Sequence, residues 1–339
     1  MLENGITKEH SQIIYGIAIL FMIYYHLFAF PERVPECLKI VNYLGSNLTL
    51  IIAQFGHICI SLYAFMSGYG MTRKVEIKQV CSTYDIYCLC LQQIKNFYLK
   101  FLPVFFVFVT YGIISKRYEF KFIDYILSIV GYYSVYNKEW WYVKQYIAMQ
   151  LLFPLIYKFW KRVNRCFSKN IRLLIYVIFL VTSSAIVSIM DPFSGYTTFI
   201  VCVLEFTAGC IIAMNKIYER VKINNNVIPV LGIMVVFILR TYFLYYGTYD
   251  YILAPIFIYC VCRISQNQFV RKYFDKTIRL CGKYSIYMWL THTFYIYYYF
   301  QDFFFFLNIS TIIYIETIVI CIITAKCFDY FYVKHICNR

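Results

Sequence analysis

The feature that most constrains this chain is a recurrence: long, nearly uncharged apolar runs follow one another from end to end. A bilayer core about 30 Å thick is crossed by roughly 20 helical residues. Ten runs bounded by charge or by Pro, Gly and Asn are read as spans, near residues 11–30, 47–71, 97–115, 140–158, 171–190, 196–214, 227–246, 249–264, 284–305 and 309–333. Their lengths suit membrane-crossing helices, so the predicted fold is all-α, a polytopic membrane bundle of about ten transmembrane helices. A shorter amphipathic piece at 120–136 is expected to be re-entrant or interfacial. With 61% hydrophobic and 14% charged residues and a mean hydropathy of +0.61, the chain is more apolar than one soluble core requires. No loop exceeds about 25 residues, so residues 1–339 are expected to form one membrane-embedded domain.

Orientation follows from the distribution of Lys and Arg. If the N-terminus is cytoplasmic, 23 of the 32 basic residues fall in inner segments and six in outer ones: Arg33, Lys39, Lys116, Arg117, Lys121 and Lys138. Lys144, Arg240 and Lys326 lie inside spans. This bias predicts both termini on the cytoplasmic side. It also accounts for the net charge of +15 through contact with the lipid bilayer, with no need for a nucleic-acid partner. The first run is expected to be a true span rather than a cleaved signal peptide, because its flank mixes Lys8 with Glu3 and Glu9 and no small-residue cleavage site follows. Of the 14 cysteines only Cys37 falls in an outer loop, and their spacings suit small apolar side chains better than disulfides or a metal site. No metal is expected.

Ionisable groups inside spans are costly and face a cavity or one another. They are His26, His57, Lys144, Glu205, Arg240, His292 and Glu316. At 1.5 Å per residue from Ser11, His26 sits roughly 22 Å up its span, in the outer third of the bilayer, and His292 about 12 Å up its own. Arg240 needs an anion, and Glu205, Asp250 and Glu316 are the candidates in reach. A structural ion pair and a functional role both remain open for it. A neutral imidazole can take a proton from a hydroxyl near neutral pH, which makes His26 a candidate general base. A hydrogen-bonded packing role is the plainer alternative for a lone histidine. Aromatic residues, 22% of the chain, exceed what interfacial belts use; they either fill gaps or line a lumen suited to a sugar or an acyl chain.

Five stretches carry a resemblance. GIAILFMIYYH, with Gly16 and His26, resembles the first-span motif of the membrane acyltransferase family known as acyltransferase 3, with Tyr15 standing where that family has Arg. HICISLYAFMSGYGMTRK matches its F-x-x-S-G-Y ending at Phe65, Ser67, Gly68 and Tyr69, followed by basic Arg73. KNFYLKFLP matches a basic segment at Lys100 and Pro103, with Phe97 replacing its first Arg. EWWYVKQYIAMQLLFPLIY matches at Trp141, Leu152, Phe153 and Pro154, and LCGKYSIYMWLTH at Gly282, Ser285, Tyr287 and His292.

The resemblance implies transfer of an acyl group, usually acetyl from cytoplasmic acetyl-CoA, to a hydroxyl of a cell-surface or lipid-linked glycan. It implies residence in the bacterial plasma membrane. His26 maps onto the family's first-span catalytic histidine, as general base or as an acyl-accepting nucleophile. His292 is the second catalytic candidate, orienting the substrate or donating to the thioester oxygen. CoA phosphates call for Lys or Arg, and Arg73, Lys74, Lys95 and Lys100 flank the expected inner mouth between the second and third spans. Positive-inside bias explains the same four residues individually. Trp141, Lys144, Glu205, Arg240 and Glu316 are expected to contact substrate or to brace the bundle. Rival classes are a polysaccharide polymerase, a flippase or another multi-span transporter. A polymerase would be expected to carry several Arg in a large outer loop, and a transporter paired Gly or Pro breaks; neither is evident here.

Overall fold

The computed structural model describes residues 5–33, 42–43, 46–190, 195–223, 225, 227–243 and 249–334, and the chain is helical almost throughout. Cys37, Lys39 and Arg339 lie outside the described residues. In chain order the helices are α1 (Lys8–Phe28), α2 (Leu48–Gly56), α3 (Cys59–Ile77), α4 (Thr83–Ile114), α5 (Phe122–Ile129), α6 (Tyr142–Cys166), α7 (Lys169–Ile189), α8 (Gly195–Met214), α9 (Ile217–Arg220), α10 (Val227–Ile238), α11 (Asp250–Ile264), α12 (Gln268–Tyr273), α13 (Asp275–Thr293), α14 (Gln301–Phe305) and α15 (Ser310–Tyr332). Two helices run on into wider π-helical turns, Leu239–Phe243 after α10 and Phe294–Tyr299 after α13. A two-residue antiparallel pairing joins Asn42–Tyr43 to Ser46–Asn47.

The start of α1 shows how local chemistry sets these limits. Thr7 Oγ1 accepts the His10 amide at 3.2 Å, and His10 Nδ1 accepts the Thr7 amide at 3.3 Å, a reciprocal cap over the first turn. Among the described residues six helical stretches are long and apolar enough to cross a bilayer: Lys8–Phe28, Leu48–Ile77, Thr83–Ile114, Lys169–Ile189, Thr197–Met214 and Ser310–Tyr332. The other four expected runs form helices with an identifiable interruption. α6 ends in a basic tail of Lys158, Lys161, Arg162 and Arg165, and α10 spans 12 residues before its π turn. α11 has 15 residues, and α13 opens on charged residues and breaks at Phe294. The 120–136 piece yields only the eight-residue α5.

The contacts divide the chain into two compact units. The first comprises Met1–Ile14, Ile60–Gln92 and Ile147–Lys276. Within it α11 packs on α8 and on α10. α3 and α8 meet at reciprocal glycines, a side chain on Gly68 colliding with the Phe206 carbonyl and one on Gly209 with the Phe65 carbonyl. Such small-residue crossings let backbones touch, which is how helices associate where lipid removes most of the hydrophobic drive. The outward face of α7, with Leu173, Leu174, Val177, Ile178 and Val181 exposed, is apolar as a lipid-facing surface must be.

The second unit comprises Tyr15–Cys59, Gln93–Tyr146 and Thr277–Arg339. Here Gly16 of α1 sits against the backbone carbonyl of Ile278 in α13, and Gly56 of α2 against that of Phe21 in α1. An aromatic layer of Phe101, Phe105, Trp140 and Phe294 fills the interior beside α13, with Trp140 centred 5.0 Å from Phe101 and 5.4 Å from Phe294.

Candidate active site

The close approach at Gly16 matters because α1 and α13 are the helices that carry His26 and His292. His26 lies in the last turn of α1 with its ring half-buried, between the fully buried Ile23 and Leu27. His292 is completely buried in the last turn of α13. The two imidazoles face each other, centroids 5.1 Å apart and planes inclined at 42°.

The tautomer of His292 follows from its neighbours. Its Nδ1 lies 3.1 Å from the Met288 carbonyl and 2.8 Å from the Trp289 carbonyl, two groups that only accept. Nδ1 therefore carries the hydrogen, and in the neutral ring Nε2 is an acceptor. That Nε2 is buried with no hydrogen-bond partner among the described residues, and so is His26 Nδ1. A neutral His292 of this tautomer can receive a hydrogen bond at Nε2 but cannot donate one there.

The π turn that follows α13 presents Tyr297 and Tyr298 in succession. The Tyr297 hydroxyl donates to the carbonyl of His26, holding the end of α1, and Tyr298 donates to Glu139 Oε2 at 3.0 Å. Glu139, buried in the short turn Lys138–Trp141, also accepts from Arg33 Nη1 at 3.1 Å. Arg33 in turn lies 4.5 Å from the Phe30 ring centroid and 5.2 Å from that of Tyr297. Burial alone would lower the basicity of Arg33, but the Tyr297 hydroxyl and the Glu139 carboxylate more than offset this and raise it above the ordinary arginine value. The same turn is fastened to α13 by Asn137 Nδ2 donating to Thr293 Oγ1 at 2.8 Å and by Trp140 Nε1 donating to the Leu290 carbonyl at 3.2 Å. His57 packs on Tyr25 at 5.2 Å.

The remaining predicted residues are dispersed. Trp141 is half-buried against Tyr142 at 5.7 Å, whereas its neighbour Trp140 is the anchored ring; two adjacent tryptophans cannot be told apart by spacing alone. Lys144 is exposed, its Nζ 5.3 Å over the Tyr132 ring, and Glu316 is half-buried on α15. Arg73 pairs with Glu76 at 3.2 Å and with Glu219 at 3.8 Å, and Lys74 beside it is half-buried. Lys95 is exposed and Lys100 places its Nζ 5.6 Å over the Tyr332 ring. Glu205 and Arg240 belong to a buried network in the first unit. There the Ser61 hydroxyl donates to Glu205 and lies 3.3 Å from Asp250, while Arg240 Nε reaches both Asp250 oxygens at 3.0 Å. Sequence reasoning passed over Glu139, Asn137, Tyr297 and Tyr298 and treated Arg33 as a loop charge. The one available signal was the adjacency of Glu139 to the matched tryptophan.

A bundle of apolar helices, six of them among the described residues long enough to cross a bilayer, places the chain among helical membrane proteins. The chain is a member of the acyltransferase 3 family, whose Acyltransferase domain model matches residues 13–326. It is therefore a multi-pass membrane acyltransferase, and the resemblance carried by the five motifs holds over nearly the whole length. No curated protein and no solved structure matches it.

Proposed function

We propose that this acyltransferase takes an acetyl group from acetyl-CoA and places it on a hydroxyl of a cell-surface or lipid-linked glycan in the bacterial plasma membrane, with His26 as general base. The observation that carries the reading is the half-buried His26 ring, placed at the end of α1 by the Tyr297 bond and accompanied by His292. In the reaction the acceptor hydroxyl oxygen attacks the thioester carbonyl carbon while His26 removes its proton. Collapse of the tetrahedral intermediate breaks the carbon–sulfur bond, and the proton passes from the imidazolium to the departing CoA sulfur. The rings of Tyr25, Phe30 and Tyr297 around His26 suit the apolar face of a sugar, while the Arg33–Glu139 pair offers charged partners for its hydroxyls. For the CoA phosphates, Lys95 and Lys100, two cations on the one helix α4, are the residues proposed.

NMR of surface polysaccharide from cells with and without the gene tests this reading. An O-acetyl signal present only with the gene is expected. His26→Ala should reduce transfer by about 10²–10⁴-fold, the usual worth of a positioned base, with the protein still in the membrane fraction. Full acetylation by that variant would remove His26 from the chemistry, and identical polysaccharides would remove the glycan acceptor.

A further inference from the structure

The two orphaned nitrogens of the histidine pair define a direction. His292 Nδ1–H is committed to the Met288 and Trp289 carbonyls, so Nε2 is left as a buried acceptor. His26 Nδ1 is the buried, unpartnered nitrogen of the ring that faces it, 5.1 Å away between centroids. A buried acceptor lacking a donor and a buried nitrogen lacking any partner both carry a desolvation penalty unless they meet directly or through one water. A direct bond between them requires the hydrogen on His26 Nδ1, because His292 Nε2 has none to give, whereas a bridging water could donate to both nitrogens.

We infer that His292 is a positioning residue that fixes the tautomer of His26: its Nε2 accepts a hydrogen bond directly from His26 Nδ1–H, leaving His26 Nε2 as the free base. The inference rests on the reading of His26 as general base and adds what makes it competent. The chain Met288 and Trp289 carbonyls, His292, His26 plays the part that a buried carboxylate plays behind other catalytic imidazoles, where a wrong tautomer costs up to about 10⁴-fold. Here the orienting group is neutral, in keeping with an interior where a second carboxylate would need its own countercharge. The other titratable groups around the pair are Tyr25 and His57, Arg33, Glu139, and Tyr297 and Tyr298 of the π turn. Glu139 is occupied by Arg33 and Tyr298.

The test uses the full chain in lipid bilayers with ¹⁵N-labelled histidine; five histidines make the spectrum assignable by single substitution. In the unsubstituted protein the His26 ring should be protonated at Nδ1. His292→Asn keeps a donor for the two carbonyls but ends short of His26, and should return His26 to a mixture of tautomers. His292→Gln extends an acceptor oxygen to the position of Nε2 and should restore the Nδ1–H form. In acetyl-CoA turnover with a panel of nitrophenyl glycosides, the Asn variant should lose about 10²-fold in kcat with KM little changed, and the Gln variant should recover most of that loss. A His26 protonated at Nε2 in the parent protein, or a tautomer indifferent to His292→Asn, would overturn the inference. The spectroscopic readout does not depend on turnover, so it fails separately from the base role, which falls only if His26→Ala stays active.

Discussion

The two compact units each bury a polar cluster, and the clusters are built on opposite principles. In the first unit the guanidinium of Arg240 grips both oxygens of Asp250, and Ser61 ties Asp250 to Glu205. Charge answers charge, and all four side chains are at most 7% exposed. In the second unit His26 and His292 face each other with one nitrogen apiece unmet, while the charges, Arg33 and Glu139, stand aside and pair with each other. Both clusters adjoin a π-helical turn, at Leu239–Phe243 and at Phe294–Tyr299, where helix geometry widens at functional positions. The difference teaches where to look for chemistry. An unmet buried polar atom costs about 1–3 kcal/mol, and a protein can carry that cost where a substrate or a proton completes the set. The first cluster also leaves one atom unmet, Glu205 Oε2, so what sets it apart is its buried ion pair, which spends its polarity on holding helices together.

If the first cluster is structural, breaking it should cost most. Asp250→Leu removes the carboxylate that grips Arg240 Nε and should destabilise the protein by about 3–5 kcal/mol, whereas the double variant with Arg240→Met should recover much of this because the pair is removed together. Thermal unfolding in detergent measures both. A double variant no better than the single one would mean that the charges do more than balance each other. Next in size is Gly16→Val, which forces α1 off the Ile278 carbonyl. Overpacking of this kind costs about 1–3 kcal/mol, and it should lower turnover beyond the loss of folded protein, because the same displacement separates the two imidazoles. The mirror substitution Gly209→Val in the first unit should lower stability alike and leave turnover per folded molecule unchanged. Equal losses of turnover from both would erase the distinction between the units.

Much of this was legible in the sequence. Apolar runs bounded by charge gave helices at nearly the expected places, since hydrophobic length is a one-dimensional property. His26 and His292 stood out as costly groups in two of those runs, and the Arg240 partner was among the three acids named. What was not legible arises from rotation and from turns. Whether Trp140 or Trp141 faces the interior depends on a few tens of degrees in a short 3₁₀ turn. Glu139, not singled out, and Arg33, read as a loop charge, are brought together beside the π turn that carries Tyr297 and Tyr298. Gly16 was recognisable only as a motif position; its physical role requires knowing that α13 crosses there.

The smaller effects sharpen the contrast. Glu139→Gln keeps the shape but removes the charge facing half-exposed Arg33, so the loss in stability should be about 1 kcal/mol. Its larger consequence should be on acceptor KM, if Arg33 and Glu139 serve the glycan hydroxyls, and an unchanged KM would confine the pair to bracing the turn. Smallest of all should be Glu205→Gln. Asp250 takes Arg240 Nε with both oxygens, so the guanidinium keeps one carboxylate when the second is neutralised. The carboxamide oxygen of Gln can still accept from Ser61, and Glu205 Oε2 has no partner among the described residues to lose. A change under about 1 kcal/mol with full turnover is therefore expected. A loss approaching that of Asp250→Leu would show that the Glu205 charge itself is required, and the Arg240–Asp250 pair could no longer be described as sufficient in itself.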